Sequence, residues 1–149
     1  MMILVTIGTT TFDSLIMEID QTFPKSTDIL LQIADGEYKP ANFPFITFIE
    51  NIDEYYFKAD LIICHAGAGT VYKLLELGKK IIVVPNMTRS DPHQRELADF
   101  VKNNNYGLVP DNLSDLYKTV KHAELFTPQK YNKPVFTGNE LLMEIIHTL

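Results

Sequence analysis

The residues with the clearest chemical potential form a glycine-rich turn between an apolar strand and a helix. The turn runs from His65 to Thr70 and contains Gly67 and Gly69. Glycine lets a backbone approach a neighbour closely, and the free amides and positive dipole end of a helix N-terminus favour an anion such as phosphate. Glycine at this place can equally pack a helix start against a strand, so the turn alone leaves both interpretations open.

Two common nucleotide-binding patterns are missing from the sequence. No Gly-Lys-Ser or Gly-Lys-Thr follows the turn, which excludes a Walker loop. The pattern Gly-x-Gly-x-x-Gly does not follow the first strand, which argues against a nicotinamide cofactor. A nucleotide held by its diphosphate remains compatible with these observations.

Two further loops are rich in polar side chains. Residues 8–12 contain one glycine and three threonines, which can donate hydrogen bonds to a phosphate or sugar or can cap the next helix. Asp91, His93 and Gln94 lie together in the loop 86–94, where the Asp and Gln can bind sugar hydroxyls. The alternative for this loop is a capped helix with solvated polar side chains.

Short apolar runs alternate with segments whose apolar residues recur at helical spacing, which predicts βα units and a mostly parallel sheet. The predicted strands are Ile3–Ile7, Ile29–Ile33, Phe45–Ile49, Leu61–Cys64 and Ile81–Val84. The first two predicted helices are Asp13–Phe23, with Asp13 as its cap, and Asp53–Lys58. A third runs through Val71, Leu74 and Leu75 and ends at Gly78, and a fourth is capped by Ser90 or Asp91 and runs to about Asn104. The last two are Asn112–His122 and Asn139–His147. The complete order, β-α-β-β-α-β-α-β-α-β-α-α, predicts an α/β fold with a doubly wound, Rossmann-like sheet.

In a doubly wound sheet a ligand binds beyond the carboxyl ends of the strands. The loops 8–12, 65–70 and 86–94 all follow predicted strands, and no comparable polar cluster lies at the other predicted edge. We therefore predict a binding site where these three loops meet.

Composition and charge narrow the class of protein. The 149 residues predict a single domain, 1–149, and a net charge of −6 argues against nucleic acid as a partner. The one cysteine, Cys64, cannot form an intrachain disulfide or a cysteine zinc site, which favours a reducing compartment. Apolar runs of six residues or fewer are too short to span a membrane, and Met1 to Ile7, which lacks a cationic leader, is interpreted as the first strand.

Three segments together resemble one family. They are Val5-Thr6-Ile7-Gly8-Thr9-Thr10 with Phe12-Asp13, Ala59 to Thr70 with the sequence ADLIICHAGAGT, and Val83 to Asn86 followed by Asp91 to Ala98 with the sequence DPHQRELA. In this order they look like the C-terminal domain of the glycosyltransferase family 28 proteins, over roughly residues 3 to 110. The length and the Gly-Thr-Thr opening resemble the stand-alone subunits of this family that serve dolichol-linked N-acetylglucosamine transfer and bacterial capsule and exopolysaccharide synthesis.

The resemblance implies one half of a GT-B glycosyltransferase, in which this chain binds a UDP-sugar donor and a membrane-anchored partner binds the lipid-linked acceptor. It implies inverting transfer of a hexose or N-acetylhexosamine at the cytoplasmic face of the inner membrane. No cofactor or metal is expected, in agreement with the lack of an Asp-x-Asp motif, because a helix dipole and nearby donors would stabilise the departing UDP. An isolated half can also form a homodimer by covering the surface meant for its partner.

Carried over by position, the resemblance assigns donor-binding roles in all three loops. His65 would face the diphosphate and is the candidate in this chain for the catalytic base, which can otherwise come from the partner. Gln94 would bind the sugar. The full donor-binding set is Gly8, Thr9, Thr10, His65, Gly67, Ala68, Gly69, Thr70, Asp91, His93 and Gln94.

One position departs from the family pattern. Eight residues after His65 the family carries a glutamate that takes both ribose hydroxyls, whereas this chain has Lys73, which donates and does not accept hydrogen bonds. We hypothesise weaker or shifted donor binding, with Lys73 meeting a phosphate or the partner; the alternative is a solvated lysine. Lys73 is also the evidence for a second function, a non-catalytic nucleotide-sugar-binding or regulatory subunit.

Overall fold

The computed structural model describes residues 1–88 and 91–134, in which strands and helices alternate along the chain. The strands are β1 (Ile3–Thr6), β2 (Ile29–Gln32), β3 (Phe45–Ile46), β4 (Leu61–His65) and β5 (Ile81–Val84). The helices are α1 (Asp13–Thr22), α2 (Ile52–Lys58), α3 (Ala68–Glu76), α4 (Pro92–Asn103) and α5 (Leu116–Ala123), the last preceded by a 3-10 turn over Leu113–Asp115.

All five strands are parallel and lie in the order β3-β2-β1-β4-β5. The central strand β1 pairs Ile3 with Ile29 of β2 on one side and with Leu61 of β4 on the other. The direction of winding therefore reverses between β1 and β4, and at such a reversal a doubly wound sheet opens a crevice at its carboxyl edge. The predicted fold class is confirmed.

Helices cover both faces of the sheet, so alternate strand residues enter two separate cores. Val5 and Ile63 pack with α1 and α5, whereas Leu4 and Ile62 pack with α2, α3 and α4. Strands buried on both faces need no polar alternation, which explains the nearly continuous apolar runs in the sequence.

The predicted strand Phe45–Ile49 is too long, because pairing with β2 ends at Ile46. At the end of β2, Ala34 takes a positive φ of 51°, which turns the backbone out of the strand conformation. The Thr47 carbonyl still accepts from the Ala34 amide at 2.9 Å, and it also accepts from the side-chain amide of Gln32 at 2.8 Å. The local apolar pattern does not encode the positive φ of Ala34.

The predicted order includes a sixth strand, between the fourth and fifth helices, to which no bounds are assigned. The structure has there a single bridge between Leu108 and Ile82. The Leu108 amide donates to the Ile81 carbonyl at 3.0 Å, and its carbonyl accepts from the Val83 amide at 2.9 Å. Pro110 follows closely and lacks the amide that a longer ladder would require.

The prediction that Asp13 caps α1 is wrong. Phe12 occupies the cap position without a side-chain hydrogen bond, and Asp13 is the first helical residue. Its carboxylate instead accepts from the Glu37 amide at 3.2 Å, so the acid is used to hold the loop that follows β2. The threonines of residues 8–12 do not occupy the cap position either.

The C-terminal end of α3 and the N-terminal end of α4 have the capping residues that the sequence predicts. The Asp91 carboxylate accepts from the His93 amide at 3.0 Å with Pro92 in the first turn, as predicted, and Gly78 after α3 has a φ of +71°. Ser90 and the predicted helix 139–147 lie outside the described residues. No helix within residues 1–88 and 91–134 is long and apolar enough to cross a membrane.

The long connection between β2 and β3 is held by one buried carboxylate. Asp20 on α1 accepts from the Tyr38 hydroxyl at 2.6 Å and from the amides of Ala41 and Asn42 at 2.9 and 2.8 Å. Burial by itself raises the pKa of this carboxyl, but the three hydrogen bonds outweigh it and leave the pKa below its usual value. The ionised form of Asp20 therefore stabilises the fold.

We predict that Asp20→Asn lowers the free energy of unfolding by about 1–3 kcal/mol at pH 7, because the new NH2 group replaces one of the two acceptor oxygens and meets a main-chain N–H group in either orientation of the amide. The folded-state pKa lies below the unfolded value of 3.8, so the stabilisation is complete above that pH and is lost as the pH falls through the folded pKa. Urea denaturation at pH 7 and at about pH 3 should show the difference between the two proteins shrinking at the lower pH. An undiminished difference would contradict this role for the carboxylate.

Candidate functional site

A cleft of about 220 Å³ opens at the carboxyl edge of the sheet, beside the reversal between β1 and β4. All three predicted loops contribute to it. The residues that line it are Thr10, Thr11, Phe12, His65, Ala66, Gly67, Ala68, Asn86, Asp91, His93, Gln94 and Leu97. The parallel register brings these loops together, since each follows the end of β1, β4 or β5.

The N-terminus of α3 faces this cleft with its backbone donors available. Gly67 is the cap residue and makes no side-chain hydrogen bond, and the first turn carries no acidic side chain. The amides of Ala68, Gly69 and Thr70 are the first-turn donors that an α-helix leaves without an intrahelical partner. This end of α3 can therefore receive a negatively charged group.

The His65 imidazole lies between two glycine backbones. A Cβ on Gly8 would lie 3.1 Å from Cε1 of the ring, and a Cβ on Gly67 would collide with Nε2. Gly8 also has a φ of +64°, which disfavours any other residue. The neighbour that these two glycines approach closely in the structure is the His65 ring. From the sequence, a ligand was an equally possible neighbour.

Burial lowers the pKa of the His65 imidazole, and the nearby Thr6 main chain offsets this effect only in part. Nδ1 of the ring is buried and has no hydrogen-bond partner among the described residues. The imidazole is therefore neutral at pH 7. A neutral ring beside the cleft can donate or accept one hydrogen bond, according to its tautomer.

A hydrogen bond within the third loop, residues 86–94, holds the Gln94 side chain. The Gln94 carbonyl oxygen accepts from the Asn86 amide at 2.8 Å, so the Gln94 NH2 group is the part of this side chain that can donate to a ligand. His93 lies 3.3 Å from Glu96 on the exposed side of α4. Asp91 uses one carboxylate oxygen on the helix cap.

The structure brings seven of the predicted residues to the cleft wall and leaves four others outside the wall. The seven are Thr10, His65, Gly67, Ala68, Asp91, His93 and Gln94. Of the four, Gly8 supports the His65 ring, and Thr70 interacts with the buried Tyr56 hydroxyl. Thr9 is exposed on the loop after β1, and Gly69 is exposed in the first turn of α3.

Sequence reasoning missed several wall residues. Phe12, Asn86 and Leu97 close the cleft although each is at least nine-tenths buried. Asn86 gave a usable signal, since it is a polar residue directly after a buried strand and a proline. Phe12 and Leu97 gave none, because apolar residues at those positions are equally expected in the core.

Lys73 does not reach the cleft. Its ammonium pairs with the Asp53 carboxylate of α2 and lies 5.9 Å from the centre of the Tyr56 ring. Both charged side chains of this pair are about half exposed or more, so the pair contributes little to stability. The interpretation of Lys73 as a solvated lysine is closer to this arrangement than contact with a phosphate.

Two other chemistries find no support in the described residues. Burial raises the pKa of the Cys64 thiol to about 12, so it is neither a nucleophile nor a ligand at neutral pH. Within residues 1–88 and 91–134 no three His, Cys, Asp or Glu side chains are grouped so that they could hold a metal ion.

Known proteins are similar to this chain in sequence and in fold. The family described as glycosyltransferase family 28 C-terminal domain matches residues 2–134. Human UDP-N-acetylglucosamine transferase subunit ALG13 is 38% identical over 114 residues, a match that covers 64% of this chain and 10% of that protein. UDP-N-acetylglucosamine--N-acetylmuramyl-(pentapeptide) pyrophosphoryl-undecaprenol N-acetylglucosamine transferase of Opitutus terrae is 32% identical over 85 residues, 57% of this chain and 22% of that protein.

A solved structure supports the architecture. The crystal structure of Acinetobacter baumannii MurG superposes with a TM-score of 0.61 and 25% sequence identity. The superposition covers 85% of this chain and 42% of that one, so the chain corresponds to less than half of the larger protein.

We predict that Gly67→Ala disrupts the site and that Gly69→Ala does not. A methyl at Gly67 must displace the His65 ring, which should cost about 1–3 kcal/mol of stability, whereas a methyl at Gly69 meets open space. Urea denaturation measures the stability, and the NMR signals of the His65 ring report the displacement. Equal stability of the two variants, with unchanged NMR signals of the ring, would show that the ring does not lie in its seat, the position against Gly8 and Gly67.

Proposed function

This chain belongs to the glycosyltransferase family 28 C-terminal domain family, and we propose on that basis that it is the donor-binding subunit of a two-component glycosyltransferase. The donor is a UDP-sugar. The observation that carries the proposal is the cleft at the reversal of the sheet, which is lined by Gly67 and Ala68 at the N-terminus of α3, where no side chain caps the helix.

The cleft has the features that a nucleoside diphosphate requires. The first-turn amides of α3 can donate to the diphosphate, and the helix dipole favours its charge. Thr10 and Thr11 stand across the cleft as exposed hydroxyl donors. Gln94 and Asp91 lie on the side of the cleft that residues 86–94 form, and they offer an amide NH2 and a carboxylate oxygen that are suited to sugar hydroxyls.

The proposed reaction is an inverting transfer. An acceptor hydroxyl attacks C1 of the sugar, the bond from C1 to the β-phosphate oxygen breaks, and UDP leaves with both electrons of that bond. The α3 amides stabilise the negative charge that develops on UDP, without a metal ion. The hydroxyl proton passes to a base, which is either neutral His65 or a group of the partner subunit.

The proposed sugar is an N-acetylhexosamine or a hexose, and UDP-N-acetylglucosamine is the first donor to test. Two proteins similar to this chain are named for transfer from that donor, and one of them is named as a subunit. The proposed partner is a membrane-anchored subunit that binds a lipid-linked acceptor, as in capsule or other surface polysaccharide synthesis. This chain would then work at the cytoplasmic face of the membrane.

The second candidate function is a nucleotide-sugar-binding or regulatory subunit without turnover. Lys73 favours it, since the side chain faces Asp53 instead of offering acceptors to a ribose. Binding of the donor without transfer, in the presence of the partner and its acceptor, would support this candidate over the first.

We predict that the purified chain binds UDP in a buffer that contains a chelator, and that it prefers one UDP-sugar among UDP-N-acetylglucosamine, UDP-glucose and UDP-galactose. Calorimetric titration measures both.

Gly69→Asp should weaken UDP binding at least about tenfold more than Gly69→Asn, because both side chains enter open space but only the first repels the diphosphate. Equal affinities of the two variants would place the diphosphate elsewhere.

We predict that Lys73→Glu tightens UDP binding about tenfold if the ribose lies beside α3, because it supplies two acceptors in place of a donor. Lys73→Gln removes the positive charge without adding a carboxylate and serves as the control. Asp53→Asn in the same chain prevents repulsion between the two carboxylates. Unchanged affinity in Lys73→Glu, with and without Asp53→Asn, would show that this position does not contribute to ribose binding.

A further inference from the structure

Gln32, at the end of β2, has an unusual role for a buried polar residue, because its amide binds the chain directly after β1. Its carbonyl oxygen accepts from the Thr6 hydroxyl at 2.8 Å and from the amides of Ile7 and Gly8 at 2.9 and 3.1 Å. Its NH2 group donates to the carbonyls of Gly8 and Thr47, both at 2.8 Å. The side chain is almost completely buried.

These bonds fix both polar groups of the Gly8 residue. The amide and the carbonyl of Gly8 are held by one side chain, so the residue cannot rotate without breaking a hydrogen bond in the interior. Gly8 has the positive φ at which the chain turns from β1 into the loop of the cleft. Gln32 thereby selects the conformation of this turn.

Gly8 in turn forms one side of the seat of the His65 ring. The Cε1 and Nε2 atoms of the ring lie against both Gly8 and Gly67, the cap of α3. A shift of Gly8 therefore changes the space available to the imidazole beside the start of α3. The chain of contacts runs from Gln32 through Gly8 to His65, and only His65 reaches the cleft.

We propose that Gln32 is a positioning residue of the donor site, which acts through Gly8 to hold the His65 ring against the N-terminus of α3. The inference rests on the proposed function, since it names a residue that shapes the site for a nucleoside diphosphate. Gln32 does not line the cleft and makes no contact with the donor; its effect is on the geometry of residues that do.

The test compares Gln32 with a second buried residue that holds a loop. Gln32→Glu keeps the size and the acceptor oxygen but loses donors to Gly8 and Thr47, and Gln32→Met loses every hydrogen bond. Asp20→Asn is the matched control, because Asp20 is equally buried, also binds main-chain amides and holds a loop that does not line the cleft. The readouts are the UDP dissociation constant at a temperature where each variant is folded, and the NMR signals of the His65 ring.

We expect Gln32→Glu to weaken UDP binding about tenfold and to move the His65 signals, and Asp20→Asn to change neither. Should Gln32→Met fail to fold, Gln32→Glu alone decides. Unchanged UDP affinity in a folded Gln32 variant, or a loss matched by Asp20→Asn, would overturn the positioning role. Failure of the unsubstituted chain to bind UDP, with or without its partner, would instead overturn the proposed function, and the His65 signals would still report whether Gln32 sets the ring.

Discussion

The packing of the His65 ring between Gly8 and Gly67 is the constraint on which the geometry of the cleft depends. It joins the ends of the two strands at which the winding of the sheet reverses, β1 and β4. A Cβ at Gly67 would collide with the ring, and a Cβ at Gly8 would require the ring to shift by a few tenths of an ångström. Gln32 secures the Gly8 side of this contact by binding both polar groups of that residue.

Much of the fold could be predicted from the sequence because local signals agreed with tertiary packing. The apolar runs of β1, β4 and β5 and the end of α3 at Gly78 follow directly from residue type. The failures have two origins. A distant group intervenes at Asp13, which binds the Glu37 amide instead of capping α1. A rare backbone conformation intervenes at Ala34, whose positive φ follows the end of β2 where pairing with the predicted third strand would have continued.

The candidate site was predicted in its location and only partly in its detail. Strand order could not be read from the sequence, but loops that follow parallel strands must share an edge, and this was enough to place the cleft. The seat of His65 could not be predicted, since the glycines that permit it are as compatible with a ligand as with a ring. For Lys73, the sequence leaves open a phosphate, the partner or solvent as its neighbour, and the ion pair with Asp53 on α2 depends on a tertiary contact that the sequence does not reveal.

Backbone NMR of the labelled chain during titration with UDP tests most directly whether the N-terminus of α3 receives the diphosphate of a nucleotide. We expect the largest shifts at the amides of Ala68, Gly69 and Thr70, with smaller ones at Thr10 and Gln94. Shifts confined to another surface, or none at millimolar UDP with or without the partner subunit, would contradict the account.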